Sequence, residues 1–346
     1  MADLTPNRSD AVLTRVIHQY VATAKPVASL SLKDQIRVSP ATIRSVFADL
    51  EGQGYLTHPH TSAGRVPTDE GYRFYVERLM RARELNLREK QRVEAEYDKA
   101  KDEVEALMRH TAKILAAMTR LGGLAVFHPE DGAKLDHFKL VPLDPRKVMV
   151  ILVLTNGWVK EELVRLESPL PAGEAARVAQ LLNDKLKGLS LGALRRALLA
   201  DAERSRDRKL GLVQAALKTI DDALDLEGDD IHLEGFTQLM EQPEFRTVEN
   251  MERLVRLAGE RRSLRPLLDR QWTRPGLAVE IGGDSGLGEP GRNLSFMHLP
   301  YRLGGKVAGV LGVWGPTRMD YDRVAGLMGQ VARSLEEVLN KRGGWS

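Results

Sequence analysis

Apolar positions recur with a helical period at the start of the chain. Val12, Val16, Ile17 and Tyr20 share one face over residues 11–21, and Lys25-Pro26 stops the run. Ser31 to Ile36 reads as a short second helix with Ser31 as its cap. Ser39-Pro40 then opens a third. Ser39 is placed as N-cap, and Pro40 fits the first helical position, where a missing N–H costs nothing. Ile43, Val46, Phe47 and Leu50 fall at i, i+3, i+4 and i+7, which predicts a buried face. Gly52 and Gly54 end that helix, and Thr42, Arg44, Ser45 and Asp49 are left facing outward. Gly54 to Thr57 reads as a short strand, His58 to Pro67 as a turn-rich loop, and Thr68-Asp69-Glu70 as the cap of the next helix.

Further along, the pattern changes three times. Residues 79–120 hold neither Pro nor Gly and read as one charged, helix-permissive run. Its apolar spacing is too irregular for a long coiled coil, so it is taken as a solvated linker helix, or else as one that pairs with a symmetry mate. Residues 122–166 and 276–315 read as strands, and residues 167–265 as mostly helical. Val148 to Leu154 predicts a buried strand, Asn156-Gly157 a hairpin turn, and Trp158 to Leu166 the returning strand. Leu277 to Ile281, Leu294 to Tyr301 and Val307 to Trp314 are further strands, with Gly304-Gly305 turning between the last two. Arg318 to Leu339 closes the chain as a helix whose inner face carries Val324, Leu327, Met328, Val331, Leu335 and Val338.

A helix pair whose second member is capped and carries short polar side chains and Arg early is the layout of a helix-turn-helix. Its second helix enters the major groove by the N-terminal half, so Thr42, Arg44 and Ser45 are placed to reach base edges. Helical hairpins of other kinds share this pattern. The hairpin that follows shifts the balance, because a hairpin beside a helix-turn-helix is a wing. The hydroxyls and imidazole of His60, Thr61 and Ser62, with Arg65, suit phosphates or the minor groove.

Charge adds a constraint. The formal net charge is +3 over 346 residues, nearly neutral, with 42% hydrophobic and 29% charged residues. That is the mix of a globular protein, and it excludes disordered and fibrous classes. Between Lys33 and Arg73, five basic residues (Lys33, Arg37, Arg44, Arg65, Arg73) meet five acidic ones (Asp34, Asp49, Glu51, Asp69, Glu70). DNA binding would then depend on placement, with the acids turned away and two copies gathering enough phosphate contacts. The chain has no Cys, which removes thiolate metal sites, thiol catalysis and a thiol redox switch. The first residues lack a signal-peptide pattern, and no apolar stretch nears the roughly 18–20 residues of a membrane helix, so the protein is expected in the cytoplasm.

Several segments are similar to the heat-inducible transcription repressor family HrcA. These are Ser39-Pro40-Ala41-Thr42-Ile43-Arg44, Ala48-Asp49-Leu50-Glu51, the loop from Pro59 to Thr68, Gly71 to Val76, Gln242-Pro243-Glu244-Phe245 and Gly315 to Tyr321. The resemblance implies an α+β multidomain fold: an N-terminal winged helix-turn-helix and a GAF-like α+β domain with an inserted dimerisation domain. On that template residues 1–78 are the DNA-binding domain and 79–120 a linker. Residues 121–166 and 265–346 form the GAF-like domain, and 167–264 the insertion. It also implies a homodimer on an inverted-repeat operator (CIRCE) upstream of chaperone operons, support from the GroEL chaperonin, release on heat stress, and neither enzymatic activity nor a cofactor. The DNA-binding set is Ser39, Thr42, Arg44, Ser45, His60, Thr61, Ser62 and Arg65. The chain departs from the family pattern in three places. Ala28-Ser29-Leu30 replaces a Gly-Ser-Arg, Ser45 replaces an Asn, and Ile281-Gly282-Gly283-Asp284 replaces an acidic pair after Ile-Gly. A Ser hydroxyl cannot fork onto adenine as an amide does, so the family's base preference does not carry over to that position.

Other readings stand beside this one. A GAF-like domain invites a winged-helix regulator that senses a small molecule, with Gly282 to Gly291 as a lid or a plain surface loop. Arg195 to Arg208 reads as a solvated basic face, a second nucleic-acid patch, or a surface for an acidic chaperonin rim. His58 and His60 as a metal pair, a carboxylate cluster of Glu280, Asp284 and Glu289, and an enzyme are weaker readings, for want of ligand spacing or a nucleophile–base pair.

Overall fold

The computed structural model describes residues 8–36, 38–59, 64–99, 104–127, 134–155, 159–166, 169, 173–190, 193–194, 197, 231–259, 264, 268, 276–285, 293–303 and 305–343. The fold mixes helices with antiparallel sheets.

The N-terminal head begins with α1 (Arg8–Thr23), which buries Val12, Leu13, Val16 and Ile17. A 3-10 turn (Ser29–Leu32) runs into α2 (Lys33–Ile36). Ser31 is therefore not a cap. Its hydroxyl donates to the Ala28 carbonyl at 2.8 Å and lies 3.0 Å from Gln19 Nε2, so it pins the turn to α1 instead of accepting from a helix end. Next come α3 (Pro40–Gly52), the two-residue strands β1 (Leu56–Thr57) and β2 (Val66–Pro67), and α4 (Asp69–Phe74). The N-terminus of α4 is capped by Thr68, whose hydroxyl accepts from the Gly71 amide at 3.0 Å. A π turn (Tyr75–Leu79) extends α4.

The stretch expected as one linker helix is divided. Met80 to Asn86 is neither helix nor strand, α5 (Leu87–Tyr97) follows with an Asn86–Glu89 capping box, and α6 (Val104–Thr119) comes next. The solvated-linker reading fails for α6. Leu107, Met108, Ile114 and Leu115 are all buried against β3 (Gly122–Phe127) and its sheet. Each such side chain contributes roughly 1.5–3 kcal/mol by leaving water. The few charged residues of α6, Glu105, Arg109 and Lys113, line its other side; the charges that suggested a linker lie mostly before it, between Arg81 and Glu103.

Two further sheets follow. Strands β4 (Leu135–Asp144), β5 (Lys147–Leu154) and β6 (Val159–Arg165) form an antiparallel meander. Residues 156–158, where the Asn-Gly turn was expected, lie outside the described residues, but the β5–β6 pairing brackets them. The β5 strand is buried on one face only: Val148, Val150, Leu152 and Leu154 face inward, while Met149, Ile151 and Val153 are half-buried. Helix α7 (Glu174–Leu186) covers the inward face with Ala175, Val178, Leu182 and Leu186. Asn183 stitches it to β4, accepting from the Phe138 amide at 2.6 Å and donating to its carbonyl at 2.8 Å.

The body is a sheet in the order β7-β3-β10-β9-β8. It adds β7 (Ile231–Glu234), β8 (Ala278–Ile281), β9 (Leu294–Leu303) and β10 (Lys306–Pro316) to β3. Helices α8 (Phe236–Met240) and α9 (Val248–Gly259) follow β7, with a 3-10 turn Pro243–Phe245 between them. The last helix, α10 (Tyr321–Gly343), packs on β9 and α6. Tyr301, fully buried, donates to the Val126 carbonyl at 3.1 Å across the sheet. This pairing moves the expected boundaries. Residues 135–165 were grouped with 265–346, yet they form a separate sheet; β7, assigned to the insertion, pairs with β3. Strand alternation shows that a segment is a strand, but not which distant strand it joins.

Candidate nucleic-acid interface

Helix α3 is built as its sequence directs. The Ser39 hydroxyl accepts from the Thr42 amide at 3.1 Å and lies 2.9 Å from the Thr42 hydroxyl. Ile43, Val46, Phe47 and Leu50 are buried in the head, which fixes the helix's rotation. Arg44, Ser45, Ala48 and Asp49 are consequently exposed, and Thr42 is half-buried. Thr42 is thus the least available of the expected base readers, since its hydroxyl is engaged with the cap.

The ribbon beside α3 is anchored from within. Val27 and Arg65 exchange backbone hydrogen bonds at 2.8 and 2.9 Å, adding a bridge to the β1–β2 pair. Gly64 permits this approach: a Cβ there would lie 2.5 Å from the Val27 carbonyl carbon, inside any real contact distance. Glu51, on the last turn of α3, holds the ribbon's base. One carboxylate oxygen receives His58 Nδ1, and the other pairs with Arg65 Nη2 at 2.8 Å. The His58 hydrogen bond, with Arg65 beside it, holds the Glu51 carboxyl below the usual carboxylate range. His60, Thr61 and Ser62 lie outside the described residues.

These pairings alter the charge picture. Arg65 is engaged with Glu51, with 23% of its side chain exposed, and Arg73 is engaged with Glu70 and Asp284. Two of the five basic side chains counted in this segment are therefore committed to ion pairs, while Lys33 and Arg44 remain exposed and Arg37 lies outside the described residues. The acids are not simply turned away: Glu51 and Glu70 are paired, but Asp49 stays exposed on α3. Asp69 is exposed at the start of α4, and desolvation of its carboxyl raises its pKa. With so little net positive field, any binding of DNA by this head would depend on base contacts more than on non-specific attraction to phosphates.

Sequence reading did not find Glu51 or Val27 as parts of this site. The available signals were its place in Ala48-Asp49-Leu50-Glu51 and its spacing: Glu51 lies one residue before the helix-ending Gly52 and seven before His58. Nor did it find the contacts that join the head to the body, in which Arg318 and Arg73 reach residues far away in sequence.

The family model described as HrcA protein C-terminal domain matches residues 105–325. The chain is 33% identical over 338 residues to the heat-inducible transcription repressor HrcA of Pelotomaculum thermopropionicum, covering 97% of each chain. The chain belongs to the HrcA family. A second relative of the same name, from Geobacter sulfurreducens, is 34% identical and covers 98% of this chain and 99% of its own. A solved structure described as a hypothetical protein at 2.2 Å resolution shares the fold, with a TM-score of 0.60 at 21% identity, covering 97% of this chain and 99% of that one. The HrcA model starts within α6, so α6 falls inside the matched C-terminal domain, as its packing on β3 requires. Among the described residues no helix is long and apolar enough to cross a membrane.

Proposed function

We propose that this HrcA-family chain is a DNA-binding repressor of heat-shock chaperone operons, with no enzymatic activity. In this reading it acts as a dimer on an inverted-repeat operator of the CIRCE type. The observation that carries the reading is the head: a Ser39-capped helix presents Arg44 and Ser45 to solvent beside a ribbon held by Glu51 and Val27. The helix enters the major groove, where Arg44 reads a guanine edge and Ser45 a neighbouring base, while Ser39 and Thr42 lie at the end nearest the phosphates. His60, Thr61 and Ser62 supply the wing's contacts. Arg65 positions the wing from inside, through Glu51 and Val27.

The meander supports the dimer. α7 covers one of its faces, whereas on the other Val159 is 49% exposed and Leu163 50%, next to half-buried Met149, Ile151 and Val153. A second copy is the natural cover for this face. GroEL supports the active state, and repression ends when heat or a shortage of free chaperonin depopulates it. The test is a gel shift on an inverted repeat, with and without chaperonin, over a temperature ramp. Arg44→Ala should abolish operator-specific retention and leave the dimer intact; undiminished affinity would remove Arg44 from the interface.

One feature favours a second reading, a small-molecule regulator. A cavity of about 490 Å³ lies between head and body, lined by His18, Tyr75, Arg83, Met319, Asp320 and Asp322 among others. Its size suits a small ligand. Its lining does not include Gly282 to Ser285, which form a 3-10 turn; residues 286–291 of the expected lid are outside the described residues. A metabolite that raises the melting temperature by several degrees and releases DNA would favour this reading. Arg195, Arg196, Arg204, Arg206 and Arg208, the basic stretch considered for a chaperonin contact, also lie outside the described residues.

A further inference from the structure

Three segments far apart in the chain meet at one guanidinium. Arg318, in the turn before α10, donates from Nε and Nη2 to the two carboxylate oxygens of Glu244 at 2.6 and 3.2 Å, and to Gln242 Oε1 at 3.4 Å. Its Nη1 donates to the Val21 carbonyl at 2.6 Å. Val21 lies in the last turn of α1, where carbonyls have no partner within the helix and a cation is favoured by the helix dipole. The head is thus held by the C-terminus of its first helix. Only 13% of the Arg318 side chain is exposed.

The neighbouring contacts share this seam. The Tyr72 and Tyr321 rings, both buried, pack with centroids 5.8 Å apart. His18 Nε2 lies 2.7 Å from the Tyr75 hydroxyl and 3.3 Å from Asp322. The segment between α4 and α5 is seated on α10: the Arg83 amide donates to the Asp322 carbonyl at 2.9 Å, and a Cβ at Gly326 would lie 2.0 Å from the Arg83 carbonyl oxygen. At the rim, Arg73 forks onto Asp284 at 2.5 and 3.1 Å, but that pair is 31% and 45% exposed. Exposed pairs constrain little, whereas a largely buried, forked arginine that also ends a helix constrains direction as well as distance.

We infer that Arg318 is a positioning residue that fixes the orientation of the DNA-binding head on the body, and thereby sets which half-site spacing the protein accepts. The second half rests on the reading that each head takes one half-site and the bodies hold two copies together. Two heads fixed to a rigid pair of bodies match one separation and one rotational phase of the duplex. Shifting a half-site by about half a helical turn, roughly five base pairs, turns its groove to the opposite side. A head that swivels on its linker tolerates that shift.

The test uses the full chain with Arg318→Gln, and separately Glu244→Gln, which keeps the Val21 bond and is the milder change. The chain has no Cys, so spin labels at Ala48→Cys on α3 and Glu337→Cys on α10, both exposed, report head orientation without background. Labelled chains are diluted with unlabelled ones, so that distances within one chain are read. The parent should give a narrow distance distribution, and the variants a broad one at unchanged melting temperature. Inverted repeats with centre spacing stepped over one helical turn should bind the parent at one sharp optimum. In the variants, preference for that optimum over the half-turn offset should fall about fivefold or more, with affinity for a single half-site held within about twofold. A narrow distribution in a folded variant overturns the role of Arg318. Broadened distances with a parent indifferent to spacing overturn the dimeric operator reading and the spacing claim, and leave the head-positioning role standing.

Discussion

Removing the Ser39 hydroxyl separates what the cap does for α3 from what it does for DNA. In Ser39→Ala the Thr42 amide loses its acceptor at 3.1 Å, and the Thr42 hydroxyl loses a neighbour at 2.9 Å. Loss of such a cap costs about 1 kcal/mol, roughly a fivefold rise in the opening of the helix's first turns. Pro40 supplies no amide, so Thr42 is the donor the cap serves. Hydrogen exchange read by mass spectrometry on peptides from residues 38–52 should show this acceleration, while peptides of α10, which packs on β9 and α6, should not change. Ser39→Asp should restore slow exchange, because a carboxylate caps at least as well and suits the positive end of the helix. The same variant should bind operator more weakly than Ser39→Ala, because its charge then faces phosphates. Unchanged exchange in Ser39→Ala, or operator binding by Ser39→Asp equal to that of the parent, would refute the reasoning.

Arg65→Ala should weaken operator binding but leave the slope of affinity against salt nearly unchanged, since its charge is already matched by Glu51; a slope reduced by about one would assign Arg65 to a phosphate instead. The hydrogen bond from His58 and the charge of Arg65 depress the Glu51 pKa, so their anchoring of the ribbon is complete above the carboxylate range and is lost as pH falls through the lowered value. Amide exchange of Leu56 and Thr57, corrected for intrinsic rate, should therefore stay flat down to about pH 5 and rise only below the ordinary carboxylate range. Loosening centred nearer neutrality would contradict this. Asn183→Ala leaves the Phe138 amide and carbonyl without their side-chain partner, at a cost of about 1–3 kcal/mol. The meander should melt earlier in this variant and dimer dissociation should follow, as read by sedimentation; a dimer of unaltered strength would separate the meander from dimerisation.

Local features are legible in the amino-acid sequence itself. The buried stripe of α3, its Ser39 cap and Pro40 start, the Thr68 cap of α4 and the inner face of α10 all follow from spacing and side-chain chemistry within one or two turns. Errors arise where the deciding contact is distant. Ser31 resembles a cap until Gln19 and the Ala28 carbonyl take its hydroxyl. Residues 79–120 look like one linker when their charges are counted together, although most of those charges precede α6 and its Leu107, Met108, Ile114 and Leu115 are core. Strand β3 gives no hint that β7 and β10 flank it, so the expected boundary between body and meander is misplaced. At the candidate interface, periodicity places Arg44 and Ser45 on the exposed face, as observed, but does not show the capture of Arg65 by Glu51, which depends on the ribbon folding back onto the helix end. Glu244 and Arg318, two motif residues that carry the family resemblance, share one ion pair.

The central claim is that α3 and its ribbon read an inverted repeat in duplicate. Fluorescence anisotropy on a labelled inverted-repeat duplex and on a scrambled duplex of equal length, at one fixed salt concentration, tests it most directly. Two chains should bind each inverted repeat, with affinity at least about a thousandfold tighter than for the scrambled duplex. Equal affinity for the two duplexes, or saturation by one chain with no loss when half the repeat is scrambled, would contradict it.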